Sequence, residues 1–553
     1  MKISKFHRVF MLMFMLMFMP MFFSLFSSGC TEVGSTYRAV EEEDEEELQK
    51  FDSEEKQQAE QTRRTVDFKD LDETVLKEMN KTHTPGAAIA IVSGNEIVFS
   101  RGYGVSDVET GAPVTPNTLF RIGSVTKMYT AAALVMLAEE GKLDLNAPVG
   151  NYVEGLSPGI SKLTVNQLLT HTAGLRDEIV SSSGRQDEFA LSKNVRSFND
   201  SLFFTAPGEI FSYSNPGYAI AGLVLEETGA KVVSSSSIFS SPLTSSSSYP
   251  LSSGFSSPRL PFFPCVTASG CPTYRPYDEQ VRERIFLPLG MNRTTFRLSE
   301  AVAYPYSQGH YILPNGTAAV VRPFPDNGGY WPAGFMFSNV NDLSRFAIAF
   351  MNEGELEGKK VLSPSLIQEL STPRTPVLSG YNNGSYGYGL YLYEHRGVKV
   401  VGHEGGLEGF TCQFLMVPEY RFAVIVLTNT YGSELTESTE KAMELFLPLD
   451  AKTPANRSGD SEKNVSLQIS EEELDAYEGS YFNTPDISLE LVGKGGQLFL
   501  KLGELEAPVK KVGEQRFATY HPLTQQPVEF MLVPGEDRKT VYLHIARRAL
   551  KKI

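Results

Sequence analysis

The sequence predicts an α+β chain, with an antiparallel sheet and a helical subdomain, followed by a small all-β barrel. Three observations predict it. Strand-like apolar runs lie at both ends of the segment from about residue 67 to 450, with helical patterning between them. Past a polar stretch around Pro454 to Lys463, short alternating runs recur with Gly-containing turns between several of them. At 553 residues, 41% of them apolar, the chain is long enough for more than one core.

The first strands are Ala87 to Val92 and Ile97 to Phe99, a hairpin closed by Ser93-Gly94-Asn95. Thr126 to Gly141 carries apolar residues at helical spacing and ends at a glycine, and Leu163 to Leu175 reads as a shorter helix ending at Gly174. Residues 232 to 276 interrupt the pattern with Ser- and Pro-rich sequence lacking periodicity, an inserted surface loop flanked by helical pieces. Val398 to Val401, Gly409 to Val417 and Arg421 to Thr428 read as successive antiparallel strands. The runs at Ile487 to Leu491, Leu498 to Leu500, Val528 to Leu532 and Val541 to Ile545 supply the barrel, in which no chemistry is visible. The expected divisions are 1–30 signal or anchor, 31–66 acidic linker, 67–450 catalytic domain and 465–553 barrel.

The N-terminus points outside the cytoplasm. Lys2, Lys5 and Arg8 precede an apolar run from Val9 to about Phe26, then Ser27-Ser28-Gly29-Cys30. This fits a secretory signal with lipid attachment at Cys30, or an uncleaved anchor, since about 18 apolar residues just span a bilayer. Either places the remainder outside, tethered to the membrane. The Glu41 to Glu47 run is a self-repelling tether. A net charge of -16 without a basic stripe argues against nucleic acid. Cys265 and Cys271 are close enough in sequence to form a small loop, and Cys412 in an apolar run reads as a buried small hydrophobe. No HExxH or clustered His/Asp/Glu set proposes a metal, and no cofactor is expected.

The chemistry is in three phrases. Ser124-Val125-Thr126-Lys127 sets a hydroxyl at a helix start and an amine one turn on, on the same face. Serine is a poor nucleophile until a base takes its proton, and an amine does so when burial lowers its pKa. The Ser124 N–H, free at the helix N-terminus, suits an oxyanion hole. Tyr213-Ser214-Asn215 adds a phenol that shuttles a proton and an amide that binds substrate and Lys127. Gly402-His403-Glu404-Gly405-Gly406 lies between strand-like runs, and Gly406 offers the second oxyanion donor.

In this order the phrases resemble the penicillin-recognising serine hydrolases, in the branch with class C β-lactamases, DD-carboxypeptidases, D-aminopeptidases and esterases. Further phrases extend the resemblance: Pro116 to Gly123, Leu169 to Leu175, Pro288 to Met291 and Pro332-Ala333-Gly334. The resemblance implies a β-lactamase/transpeptidase-like fold, Ser124 as acylated nucleophile, Lys127 as its base and Tyr213 as proton donor to the leaving group. It also implies substrate binding by Asn215, His403, Glu404 and Gly405, with His403 where class C β-lactamases carry Lys. His171 reads as a packed or capping residue. Leu474 to Tyr481 resembles the lipocalin-like domain of some relatives.

Glu404 stands where β-lactamases and carboxypeptidases carry Thr or Ser, so a carboxylate facing the cleft would repel a substrate carboxylate. The expectation is a peptidase of D-aminopeptidase type or an esterase, acting on a peptide or small molecule. The alternatives are a β-lactamase or DD-carboxypeptidase, or a non-catalytic surface binding protein.

Overall fold

A nine-stranded antiparallel sheet is built from both ends of the catalytic segment. β1 (Gly86–Ser93) pairs with β2 (Glu96–Asp107) on one side and with β5 (Phe422–Thr428) on the other. β5 pairs in turn with β4 (Phe410–Val417), and β4 with β3 (Val398–Leu407). Three shorter strands extend the β3 edge as far as Thr375–Pro376, and Ala112–Pro113 closes the far edge. The computed structural model describes residues 66–177, 183–229, 231–232, 272–273, 275–378, 384–452, 467–484, 487–535 and 541–553. The expected signal or anchor, Cys30, the linker up to residue 65, Cys265, Cys271 and most of the Ser-rich insertion lie outside them.

β1 is apolar on both faces because both are covered. Ala87, Ile89 and Ile91 face a core shared with α1 (Lys69–Thr82) and α5 (Thr436–Phe446), which contribute Leu71, Val75, Ala442 and Met443. Ala88, Ala90 and Val92 face the larger core, which holds α2 (Thr126–Glu139) and α4 (Val340–Met351). α2 is buried around nearly its whole circumference, so this helix is an interior element. Cys412, fully buried in β4, has its thiol pushed well above the ordinary range by burial and behaves as a small apolar side chain.

Two expectations are corrected. The helix expected over Leu163 to Leu175 spans only Val165–Leu169, capped at Thr164 by a reciprocal box with Gln167. It stops because His171 takes a left-handed conformation, φ 57°, which ends the helical ladder. The Gly402 to Gly406 phrase is not a loop between strands but the second half of β3, paired residue for residue with β4.

The insertion leaves the end of α3 (Asn215–Thr228), and its two ends meet: Lys231–Val232 pairs antiparallel with Pro272–Thr273. The chain then resumes helically at Tyr277. C-terminal to residue 467, nine strands form a second antiparallel sheet that is a nearly closed barrel around Tyr481, Leu500, Phe517, Phe530 and Leu543. Its last hairpin is β6 (Val541–Ile545) and β7 (Arg548–Lys552).

One buried charge holds the wall of the helical region. Arg121 has no exposed surface, ion-pairs with Asp326 at 3.0 Å, stacks on Phe337 at 3.7 Å and donates to the Phe335 carbonyl. Asp326 also accepts from the Trp331 indole N–H at 3.1 Å. Removing one partner of such a pair strands the other charge, at a cost of about 3–5 kcal/mol. Asp326→Ala is therefore expected to lower stability by about that amount in urea denaturation. A change within about 0.5 kcal/mol would mean the pair contributes little.

Candidate active site

Ser124 occupies a short 3-10 turn, Gly123–Val125, that runs directly into α2. The turn depends on two glycines. Gly123 has φ 52°, and a Cβ there would lie 2.7 Å from the Gly406 backbone nitrogen. A Cβ on Gly405 would lie 1.9 Å from the Ile122 carbonyl oxygen and 3.1 Å from the Ser124 nitrogen. Both approaches are to backbone, which cannot move aside, so only glycine lets β3 lie this close to Ser124. The N–H groups of Ser124 and Gly406 are thereby brought to the same edge, as an oxyanion hole requires. Gly405 acts through this close approach, since it has no side chain to offer a substrate.

One turn on from Ser124, Lys127 has no exposed surface, and its Nζ has three oxygen neighbours. They are the Asn215 Oδ1 at 2.8 Å, the Ala333 carbonyl at 2.6 Å and the Ser124 Oγ at 3.0 Å. Burial holds the Lys127 amine well below its ordinary pKa; Asp177 opposes this, and Arg548 and Arg547 reinforce it. A neutral amine has two N–H donors and one lone pair. The two carbonyl oxygens take the donors, leaving the lone pair for the proton of the Ser124 hydroxyl.

Tyr213 comes from the irregular segment before α3. Its phenol, which hydrogen-bonds Ser124, is pushed well above the ordinary range, chiefly by burial, and stays protonated. Lys127 Nζ lies 4.7 Å from the ring centroid. His171 is the clamp for this segment: its Nδ1 accepts from the Ser214 N–H at 3.1 Å, and its carbonyl accepts from Ser212 N–H at 2.9 Å. Its ring packs on Tyr213, centroids 4.2 Å apart, and burial keeps it neutral. His171 is thus the packed residue expected from sequence. Ser214 caps α3 and Pro216 occupies its first turn.

Asn215 is fixed from behind. Asp177, nearly fully buried, accepts from the Asn215 backbone N–H at 2.8 Å and from its Nδ2 at 3.0 Å, turning Oδ1 toward Lys127. Sequence reasoning missed Asp177; it stands two residues past the Leu169 to Leu175 phrase, with no motif of its own.

His403 is buried within β3. Its Nδ1–H donates to the Glu404 carbonyl and its Nε2 accepts from the Tyr386 hydroxyl at 3.0 Å, so both ring nitrogens are engaged within the protein. Burial, with Lys127 nearby, keeps it neutral. Glu404 stands at the rim, partly exposed, and ion-pairs with Arg547 at 3.2 Å. The carboxylate expected to repel a substrate carboxylate is paired, and its counter-charge comes from the turn between β6 and β7, 143 residues away. The Arg547 guanidinium lies 6.0 Å from the Tyr213 ring centroid and 5.9 Å from that of Tyr391. The last barrel hairpin therefore places an arginine beside Glu404, Tyr213 and Tyr391. An adjacent Arg pair near the chain end was the only available signal.

Known proteins resemble the chain in sequence and fold. Protein flp of Staphylococcus aureus strain MW2 is 24% identical over 368 residues, 65% of this chain and 62% of its own length. The chain thus spans a little over three fifths of that relative. The octameric penicillin-binding protein homologue of Pyrococcus abyssi superposes with a TM-score of 0.55 at 24% identity, covering 88% of this chain and all of that one. The D-amino acid amidase of Ochrobactrum anthropi SV3, complexed with L-phenylalanine amide, superposes with a TM-score of 0.51 at 22% identity, covering 68% and 98%. The Beta-lactamase family model matches residues 71–232 and 269–446, a span that holds Ser124, Lys127, Tyr213, Asn215 and the His403 to Gly406 strand. The chain belongs to the Beta-lactamase family, a family of serine hydrolases.

Proposed function

We propose that the chain is an extracytoplasmic serine hydrolase that forms an acyl-enzyme at Ser124. Its proposed substrates are peptides or amides of D-aminopeptidase type, and esters. The observation that carries the reading is the buried Lys127 amine, with two N–H groups held by carbonyl oxygens and its lone pair left for Ser124. Ser124 Oγ attacks the substrate carbonyl as its proton passes to Lys127. The oxyanion collects against the Ser124 and Gly406 N–H groups. The Tyr213 phenol protonates the leaving group and regains a proton from Lys127. In the second half-reaction water attacks the ester, and the same groups run in reverse.

The substrate preference rests on the Glu404 position. Its side chain gives no hydroxyl donor for a substrate carboxylate, and an ion pair with Arg547 occupies it. A neutral amide or a free amine is compatible with that rim, and the fold likeness to a D-amino acid amidase is in keeping. One observation favours a β-lactamase or DD-carboxypeptidase: Arg547 offsets the charge that would repel a substrate carboxylate. A purely binding role leaves the Ser124, Lys127 and Tyr213 arrangement without a purpose. We further read residues 1–30 as a signal or membrane anchor, with a lipid at Cys30 or an uncleaved span. The proposed remainder is a tether over 31–66, a catalytic domain over 67–450 and a lipocalin-like barrel domain over 465–553.

Ser124→Ala should abolish labelling by a fluorophosphonate probe, read by intact mass, while the melting temperature stays close to wild type. Persistent labelling would move the nucleophile elsewhere. On the wild-type protein, a D-amino acid anilide should be hydrolysed in preference to a chromogenic cephalosporin; the opposite order would favour the β-lactamase reading. Tyr213→Phe should lower kcat by roughly 100- to 10,000-fold, the range for losing general acid-base help, with a much smaller change in KM. An unchanged kcat would reduce Tyr213 to a packing residue.

A further inference from the structure

We propose that Arg548, carried on the last hairpin of the C-terminal barrel, is a positioning residue of the catalytic centre. It secures Asp177 in the place from which that carboxylate fixes Asn215 against Lys127. The inference rests on the reading of Ser124 and Lys127 as nucleophile and base.

The geometry is a continuous relay. The Arg548 guanidinium grips Asp177 Oδ2 with two nitrogens, Nε at 2.9 Å and Nη2. The other oxygen, Oδ1, accepts both N–H groups of Asn215, at 2.8 and 3.0 Å. Asn215 Oδ1 then accepts from Lys127 Nζ at 2.8 Å. Each polar atom has one assigned direction. The guanidinium holds one carboxylate oxygen, the other carboxylate oxygen holds the amide, and the amide oxygen holds the amine.

The hairpin is stitched to the segment that bears Tyr213. The Arg547 carbonyl accepts from the Tyr213 N–H at 3.0 Å, and the Ala549 N–H donates to Ser212 Oγ at 3.2 Å. His544 Nε2–H donates to the Phe211 carbonyl at 3.2 Å, and the Tyr542 hydroxyl pairs with that of Thr205 at 2.5 Å. The turn itself has a cost. Ala546 and Arg547 take φ 46° and 71°, the left-handed region that two-residue hairpins usually fill with Asn-Gly. Two side-chain-bearing residues there are strained, and such strain concentrates where surrounding contacts impose it. Here the imposed contact is the Arg547 carbonyl on Tyr213.

The relay also sets charge. Around Lys127 stand Asp177, Arg547, Arg548, His171, His403, Tyr213 and Tyr218, contributed by the catalytic sheet, the helical region and the barrel. The two histidines are neutral and the two phenols protonated, so Asp177 is the anion acting on Lys127 and the arginines are the cations. Asp177 favours the protonated amine, and Arg548 opposes it. Losing Arg548 leaves Arg547 as the one arginine acting on Lys127 against Asp177, and Lys127 then holds its proton to higher pH. Activity needs the neutral amine, so the acid limb of the rate profile should move upward in pH.

The test uses the full chain and the second-order rate of Ser124 acylation by a neutral activated ester, measured against pH. Arg548→Met is expected to shift the acid limb upward by about one unit, roughly tenfold in rate on that limb, with much of the rate regained at high pH. Arg548→Lys, which keeps the charge, should stay within about threefold of wild type across the profile. Arg548→Gln, which keeps a hydrogen-bond donor without charge, should shift the limb as Met does and serves if the Met variant fails to fold. An unmoved limb in both neutral variants, or a loss equal at every pH that Lys does not rescue, overturns the proposal and leaves a structural tie. A wild-type protein that is never acylated at Ser124 would defeat the functional reading itself; acylation with unmoved limbs defeats this inference alone.

Discussion

The site is organised around an amine that has been taken out of water. Lys127 has no exposed surface and lies on a helix buried around almost its full circumference. A buried charge of that kind costs several kcal/mol, so burial favours the neutral amine and holds its pKa well below the ordinary value. The neutral form accounts for the rest. The amine has two hydrogens to place, and Asn215 and Ala333 take them; its lone pair faces a group with a proton to give, and Ser124 is that group. The glycines of the 3-10 turn and of β3 follow, because Ser124 must stand at this helix start with backbone N–H groups close by.

The neighbouring parts serve the same constraint from further away. His171 leaves helical geometry so that its ring and backbone clamp residues 212 to 214. Asp177 orients Asn215 and would by itself favour the charged amine; arginines on a barrel hairpin stand against it. The barrel is thus joined to the catalytic centre through specific polar contacts and is more than an appended surface.

What the sequence made legible were features with a local signature. The buried double-faced strand at residues 87 to 92, the helix after Ser124 and the alternating barrel runs all stand where periodicity puts them. Ser124, Lys127, Tyr213 and Asn215 converge as their motif order implied. The failures share one cause, since each depends on a tertiary partner that sequence spacing does not encode. The helix expected to run to Gly174 ends early because His171 is needed by a segment more than 40 residues later. The partner of Glu404 could not be named from sequence because Arg547 is supplied from the far end of the chain. Asp177 had no motif, only a role that appears once Asn215 and Arg548 are beside it.

The protonation state of Lys127 is the most direct point of attack on this account. It can be read by titrating protein carrying lysine labelled with carbon-13 at the ε position, with the Lys127 resonance identified by its loss in Lys127→Arg. The account requires one lysine resonance to titrate well below the common group near the ordinary value of 10.5, with its amine neutral where the others are charged. A Lys127 resonance that titrates together with the exposed lysines would contradict it.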